Sequence, residues 1–354
     1  MSDFHASPSG PLAHMHRREL LSLVFANVVV LSVVAYFSVL NREYQLDDAL
    51  IYYRYFANFL DGKGLVYNPG EYFNALTSPL HAYVSLAVCG LTGSIRHPMI
   101  VLSALLLAGT IVVLLRVFLA HERKWPFVVL GGALIAGSRY SYSLFGMESW
   151  LFLLLIATCL LLYERRSMSW LGVASSLLVL TRAEGVFLVL AMVGVHLFRC
   201  RPPPRVRDLV LPVVLIASNV MFTKLYYGSF LPHTLAAKVD QGRSGLWGEW
   251  PIFFKVGYYS DRRVVDILGL VSPRNSKSLG RRCFDCWLID YEPDYVLIHD
   301  PLWPHERGIV AYMSNGRYRR CESFFLPGYE LLARDPDRPL ISAPSYRKLG
   351  SHLS

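Results

Sequence analysis

The chain has 354 residues, 53% hydrophobic and 17% charged, with a formal net charge of +9 and a mean hydropathy of +0.35. Soluble domains carry about a quarter charged residues, and the deficit is uneven: residues 1–239 are about 13% charged and residues 240–354 about 26%. This excludes a single soluble globule, a disordered chain and a disulfide miniprotein, and divides the chain into a long apolar part and a short ordinary one.

Residues 1–19 carry the basic cluster His16-Arg17-Arg18. The run 20–40 that follows is apolar for about 20 residues, enough to cross the ~30 Å hydrocarbon core. It has no small-residue cleavage site before Asn41-Arg42-Glu43, so it reads as an anchor with its N-terminus inside. Further apolar runs at 79–93, 98–120, 126–135, 149–163, 170–180, 185–198 and 209–222 bring the total to about eight hydrophobic segments. The basic clusters at 121–124, 164–166 and 199–207 each adjoin an apolar run. That is the positive-inside pattern of membrane loops, not a nucleic-acid surface. It places 41–78, 139–148, 181–184 and 224–238 outside. Two runs lie between the first external loop and the internal 121–124, where parity demands an odd number. The run 79–93 is then a half-span, or one basic loop is misassigned.

Cys89, Cys159 and Cys200 read as small core residues, whereas Cys283-Phe284-Asp285-Cys286 is a CxxC with Cys321 as an odd partner. Free thiols and a disulfide both remain open there, and a zinc site lacks its second ligand pair.

The polar residues on the external side cost free energy beside a membrane and need a reason. Residues 47–60 suit an interfacial helix, with Asp47, Ile51, Arg54 and Asn58 on one face and rings at Tyr52, Tyr53, Tyr55, Phe56 and Phe59 at headgroup level. One Asp would cap the helix; the pair Asp47-Asp48 also offers acid–base chemistry. Asp61-Gly62-Lys63-Gly64 and Asn68-Pro69-Gly70 are turns. Glu148 opens an apolar run, where a helix dipole favours it, and Arg182 and Glu184 break another as a self-paired hairpin. His233 and Lys238 follow the last run. Carboxylates and cations converging on one membrane face point to a site.

The constellation resembles the integral-membrane glycosyltransferases of the GT-C class, in particular the bacterial arabinofuranosyltransferase-like branch that includes mycobacterial cell-wall enzymes. The resemblance runs through Asp47–Asn58, Gly64–Glu71, Thr77-Ser78-Pro79-Leu80, Gly146-Met147-Glu148, Leu180–Gly185, Tyr227–Lys238 and Gly257–Pro273, from residue 46 to about 300. It implies a polytopic α-helical membrane protein, a GT-C-like helical bundle with a small C-terminal α/β extracytoplasmic domain. The divisions are a cytoplasmic 1–19, a transmembrane module at 20–239 with the external loop 41–78, a connector at 240–255, and the small domain and tail at 256–354. Relatives usually carry Asn where this chain has His233. They also run through several further spans before the tail, whereas 247–254 here leads almost directly into Gly257. An internal deletion near 254–256 is expected, with a naturally short member as the other reading.

The resemblance implies transfer of a sugar, a pentofuranose such as arabinose by nearest likeness, from a polyprenyl-phosphate donor to an extracytoplasmic glycan or surface-protein acceptor. The expected place is the bacterial inner membrane. Asp47 or Asp48 would be the base and Glu148 would assist. Arg54, Asn58, Arg182, Glu184, His233 and Lys238 would bind the donor phosphate or substrate. A divalent cation is compatible with this chemistry, but no spacing selects its ligands. A transporter or lipid-carrier protein, or a non-catalytic truncated scaffold, is the competing expectation. A transporter would place its ions mid-span in repeated halves, and no internal repeat is found. In the tail, 263–271 and 295–299 read as strands, and Trp287, Tyr291, Trp303, Tyr312 and Tyr318 as core or a sugar-stacking surface.

Overall fold

The structure, a computed structural model, describes residues 17–43, 46–119, 125–199, 205–244, 258–272, 274–281, 283, 285–303, 306–324 and 326–337. Residues 1–16, the 121–124 loop, Cys200, most of the 240–255 connector with the expected deletion junction, and the end of the chain from 338 lie outside the described residues. The chain divides into two compact units, Met1–Gly62 with Leu76–Phe222, and Lys63–Ala75 with Thr223–Ser354.

The first unit is helical. Its helices are α1 (Arg17–Leu40), α2 (Asp47–Leu60), α3 (Pro79–Thr92), α4 (Arg96–Leu119), α5 (Trp125–Gly137), α6 (Arg139–Ser143), α7 (Ser149–Glu164), α8 (Met168–Thr181), α9 (Gly185–Phe198) and α10 (Val206–Tyr227), the last ending in the second unit. Among the described residues, each of the eight apolar runs is a helix. The sequence starts and stops them where elementary chemistry expects. Pro79 sits at the beginning of α3, where its missing N–H costs nothing, and Gly93 ends that helix in the left-handed region. Helices α4 and α7 pack closely, as do α7 and α8, and α1 lies against α4 and α5. Leu107, Ile111 and Leu115 of α4 meet Leu151, Leu155 and Cys159 of α7 and Leu178 of α8 in the core. Cys89 and Cys159 are buried, as expected of small core residues.

The outward faces are apolar too. Val24, Phe25, Val28 and Leu31 of α1, Phe187 and Leu190 of α9, and Val210, Val213, Val214 and Met221 of α10 are exposed. Among the described residues, two helices are long and apolar enough to cross a membrane, Arg96–Val117 and Val206–Tyr227; 6% of the latter's apolar window is buried. Helix α3, with 14 residues, is about 21 Å long, short of the ~30 Å hydrocarbon core.

Helix α2 departs from expectation. Tyr52, Tyr53, Tyr55 and Phe56 are buried rather than laid out at headgroup level, and Phe59 and Leu60 at its end are exposed. The reason is local packing. Tyr52 stands edge-on to His81 of α3, with ring centroids 5.1 Å apart, and its hydroxyl reaches Thr77.

Among the described residues, the second unit holds α11 (His233–Ser244), the short helices α12 (Asn275–Gly280), α13 (Cys286–Tyr291) and α14 (Ile309–Ser314), and a small sheet. Strands β1 (Tyr295–His299), β2 (Tyr318–Arg320) and β3 (Tyr329–Arg334) form an antiparallel sheet in the order β1-β3-β2, with His299 opposite Tyr329 and Tyr318 opposite Arg334. Trp287, Leu288, Val296, Ile298, Ile309, Tyr312, Tyr318 and Leu332 make its core. Trp287, Tyr312 and Tyr318 are therefore core rings, not a sugar-stacking surface. The expected strand at 295–299 forms, but 263–271 is loop and turn. There the Asp266 carboxylate accepts the amides of Leu268 (2.9 Å), Leu270 (2.5 Å) and Val271 (3.3 Å), which ties the segment into a turn with Gly269 at φ +76°.

Candidate functional site

In the first unit a polar cluster forms around Gly146. Its φ of +85° lies in the region that favours glycine, and a Cβ there would stand 2.7 Å from the Tyr53 hydroxyl and 2.9 Å from Ala49 Cβ. The beginning of α2 therefore presses directly on the turn before α7. The Gly146 N–H donates to Ser103 Oγ of α4, and its carbonyl accepts from His81 Nε2 of α3, each at 3.0 Å. A carbonyl can only accept, so His81 carries its proton on Nε2 and leaves Nδ1 as an acceptor.

The same turn delivers Glu148, the N-cap of α7, which is 3% exposed. Arg182 Nη1 donates to Glu148 Oε1 at 2.7 Å and Nη2 to Glu184 Oε1 at 3.0 Å. Arg182 reaches both because it caps α8 in an extended conformation, between that helix and the start of α9. The pairing of Arg182 with Glu184 agrees with a self-paired hairpin; the third member, Glu148, comes from 34 residues away. Its Oε2 is buried with no hydrogen-bond partner among the described residues. The Tyr52 hydroxyl accepts the Ser78 N–H at 3.1 Å and shares a hydrogen bond with Thr77 Oγ1 at 3.2 Å. Burial, and after it the charge of Glu148, push its phenol above the ordinary range, so it stays protonated.

Asp47 and Asp48 open α2, Asp47 half-buried and Asp48 exposed. Neither is the N-cap: Leu46 holds that place. As first-turn carboxylates they are favoured by the helix dipole. Asp48 adjoins Ala49, which touches Gly146, two residues before Glu148. Arg54 and Asn58 lie one turn apart on α2 and are buried. The structure thus joins Glu148, Arg182 and Glu184 directly and sets the first turn of α2 against their turn.

His233 and Lys238 belong to the second unit. His233 holds Asn74 at both ends: its N–H donates to the Asn74 carbonyl at 2.9 Å, and its Nδ1 accepts the Asn74 N–H at 3.0 Å. Its ring stacks on Phe73, with centroids 4.6 Å apart. An asparagine Oδ1 sits at the same distance along the side chain as Nδ1, so an asparagine at 233 has an acceptor for the same Asn74 N–H. Burial lowers its pKa, consistent with a neutral ring. Lys238 lies exposed on α11. Asn68 Nδ2 donates to the Val264 carbonyl (2.9 Å), and the Val264 N–H donates to Oδ1 (3.0 Å), so one side chain imitates a strand partner. Glu71 pairs with Arg263, whose guanidinium lies over the Tyr291 ring.

Cys283 and Cys286 are joined in a disulfide, and Cys321 is free. Among the described residues, Cys283, Asp285 and Cys286 are the group close enough to hold one metal ion. With both sulfurs bonded to each other, that set retains only a carboxylate.

Tyr52, His81 and Ser78 were not singled out as site residues from the sequence. The usable signal was a histidine inside an otherwise apolar helix, an expensive placement that calls for a partner.

Residues 255–344 match a domain family described as a domain of unknown function, DUF8728. No curated protein and no solved structure matches the chain.

Proposed function

We propose that the chain is a multi-pass membrane glycosyltransferase that moves a sugar from a polyprenyl-phosphate donor to an acceptor hydroxyl of a cell-envelope glycan or surface protein. The observation that carries the reading is the Gly146 contact, which brings the Asp47-Asp48 turn of α2 against the turn bearing Glu148, itself paired with Arg182. Carboxylates and a cation are thereby gathered in one place in an otherwise apolar helical unit.

In this reading the bilayer covers the exposed apolar faces of α1, α9 and α10. Reading α3 as a half-span restores parity: the N-terminus and the basic loops are inside, and the first turn of α2, Glu148 and Arg182–Glu184 are outside; the choice rests on the loop charges, since α5, α8 and α9 are no longer than α3. Membrane lipid and the lipid-linked donor are then the natural partners, and nucleic acid is not one.

Asp47 or Asp48 takes the proton from the acceptor hydroxyl as its oxygen attacks the anomeric carbon. The bond from that carbon to the phosphate oxygen breaks through an oxocarbenium-like state, and the phosphate leaves with the electron pair. Arg182, held by two carboxylates, and Arg54 stabilise that charge. Asn58 lies one turn beyond Arg54 on α2 and contributes to substrate binding. Lys238 and His233 are retained as substrate-binding candidates on the resemblance alone; half of the His233 ring's polar capacity is already given to Asn74.

The test is transfer from a radiolabelled polyprenyl-phosphate sugar to candidate acceptors by membranes carrying the chain. Asp47→Asn or Asp48→Asn is expected to lower turnover by about 100-fold or more. Equal turnover by wild type and both variants removes the base assignment, and no transfer by wild type removes the enzyme reading.

A further inference from the structure

We infer that the buried face of α3 formed by Ser78, His81 and Ser85, with Glu148 beside it, is a subsite for the hydroxyl groups of a sugar. The ligand class rests on the glycosyltransferase reading; the existence of a hydroxyl-binding subsite rests on the structure. The three residues follow i, i+3 and i+7 and so share one helix face, and all are buried. Ser78 Oγ, His81 Nδ1, Ser85 Oγ and Glu148 Oε2 are each buried with no hydrogen-bond partner among the described residues.

This is unlike several other helical hydroxyls of the same unit. Ser38, Thr110, Thr158 and Thr181 each donate to the carbonyl four residues back. Ser85 makes no such bond. Ser78 is the N-cap of α3, a place where serine normally caps, yet its side chain forms no cap bond. Both hydroxyls forgo the local partner that would satisfy them.

The unused capacity selects the ligand. His81 spends its donor on the Gly146 carbonyl, so Nδ1 only accepts, and Glu148 Oε2 only accepts. The two serines can do both. A ligand matching this set brings several donors that can also accept, as the hydroxyls of a sugar do. A cation held by His81 and Glu148 would need a third ligand, and among the described residues the trio with metal-type spacing is Cys283, Asp285 and Cys286 instead. Tyr52 links the two sides of the cluster, edge-on to His81 and within the field of Glu148 and Arg182.

The experiment uses the full chain in lipid nanodiscs and saturation-transfer NMR with free D-arabinose, D-ribose, D-glucose and D-galactose as probes. Ser78→Ala and Ser85→Ala remove hydroxyls that hold nothing within the protein. A purely structural role therefore predicts an unchanged or higher Tm and unchanged sugar binding. The subsite predicts that the double variant weakens the best probe by about ten-fold or more at unchanged Tm. His81→Leu is expected to weaken the probe as well, but with a lower Tm because the Gly146 carbonyl loses its donor, and the serine variants keep the question answerable if it fails to fold. Unchanged probe affinity in the double variant, or no binding of any probe by wild type, overturns the inference. In the transfer assay, a raised donor KM in the double variant assigns the subsite to the donor sugar, and a raised acceptor KM to the acceptor. Probe binding that depends on Ser78 and Ser85 in a chain that transfers no sugar supports the subsite while removing the enzyme reading. Transfer that proceeds with both KM values unchanged in the double variant removes the subsite and keeps the enzyme reading.

Discussion

Two groups of polar residues, one in each unit, use the same kinds of side chain in opposite ways. In the second, Asn68, Glu71, Asp266 and His233 turn their side chains onto the chain's own backbone and neighbours, closing loops that lack regular structure. In the first, Glu148, His81 and Ser78 are held at one end and leave an atom open at the other. Motif residues that look alike in a sequence thus divide into those that build and those that remain available. The criterion is whether each atom's hydrogen-bonding capacity is used up.

Substitutions sharpen or break that contrast. The largest effect is expected at Gly146: Gly146→Val forces a β-branched side chain into a positive φ and against Tyr53 and Ala49, at a cost of about 4 kcal/mol or more. Thermal unfolding in detergent should show a large fall in Tm. A Tm within a few degrees of wild type would mean that α2 and the Glu148 turn are not held together there.

Asp266→Ala orphans three backbone amides and should cost about 3 kcal/mol, read as early loss of protection in hydrogen exchange at 266–272. If that variant kept its stability and lost transfer alone, Asp266 would belong with Glu148 and the contrast would fail.

Arg182→Gln is expected to lower transfer by about 100-fold in the radiolabel assay, since it removes the Glu148-paired cation that the proposed mechanism assigns to the leaving phosphate. A fall in Tm with undiminished turnover would move Arg182 to the builders.

The smallest effect is at His233. His233→Ala should cost about 1 kcal/mol by losing the Asn74 bond, whereas His233→Asn should be near neutral in the same unfolding measurement. The pH dependence follows from its lowered pKa. The neutral ring is favoured in the folded state, so this contribution is present above about 6.5 and is lost as pH falls through the lowered folded value. His233→Asn should abolish that part of the acid dependence, and an unaltered pH profile would show that the ring is not the group responsible.

The helices were legible because apolar runs bounded by proline, glycine and basic clusters leave few alternatives. Glu148, Arg182 and Glu184 were legible as charges in expensive places. Their joining was not, because Arg182 and Glu148 are 34 residues apart and meet only through packing. The burial of Tyr52, Tyr53, Tyr55 and Phe56 escaped for a related reason: an aromatic helix has the same pattern whether lipid or protein surrounds it. The loop at 263–271 reads as a strand by its β-branched residues, and only the Asp266 carboxylate, drawn inward, diverts the backbone into a turn.

The bond between Asn68 and Val264 spans 196 residues. The matched segment 255–344 consequently does not supply all of its own partners: the side chains that pair with Val264 and Arg263 come from Lys63–Ala75. During synthesis, that early stretch waits for its partner until nearly two hundred further residues have emerged, with all of α3–α11 made in between. A fragment beginning at 255 would start life with an open edge at 263–264, and grafting 63–75 onto its front is the shortest way to close it.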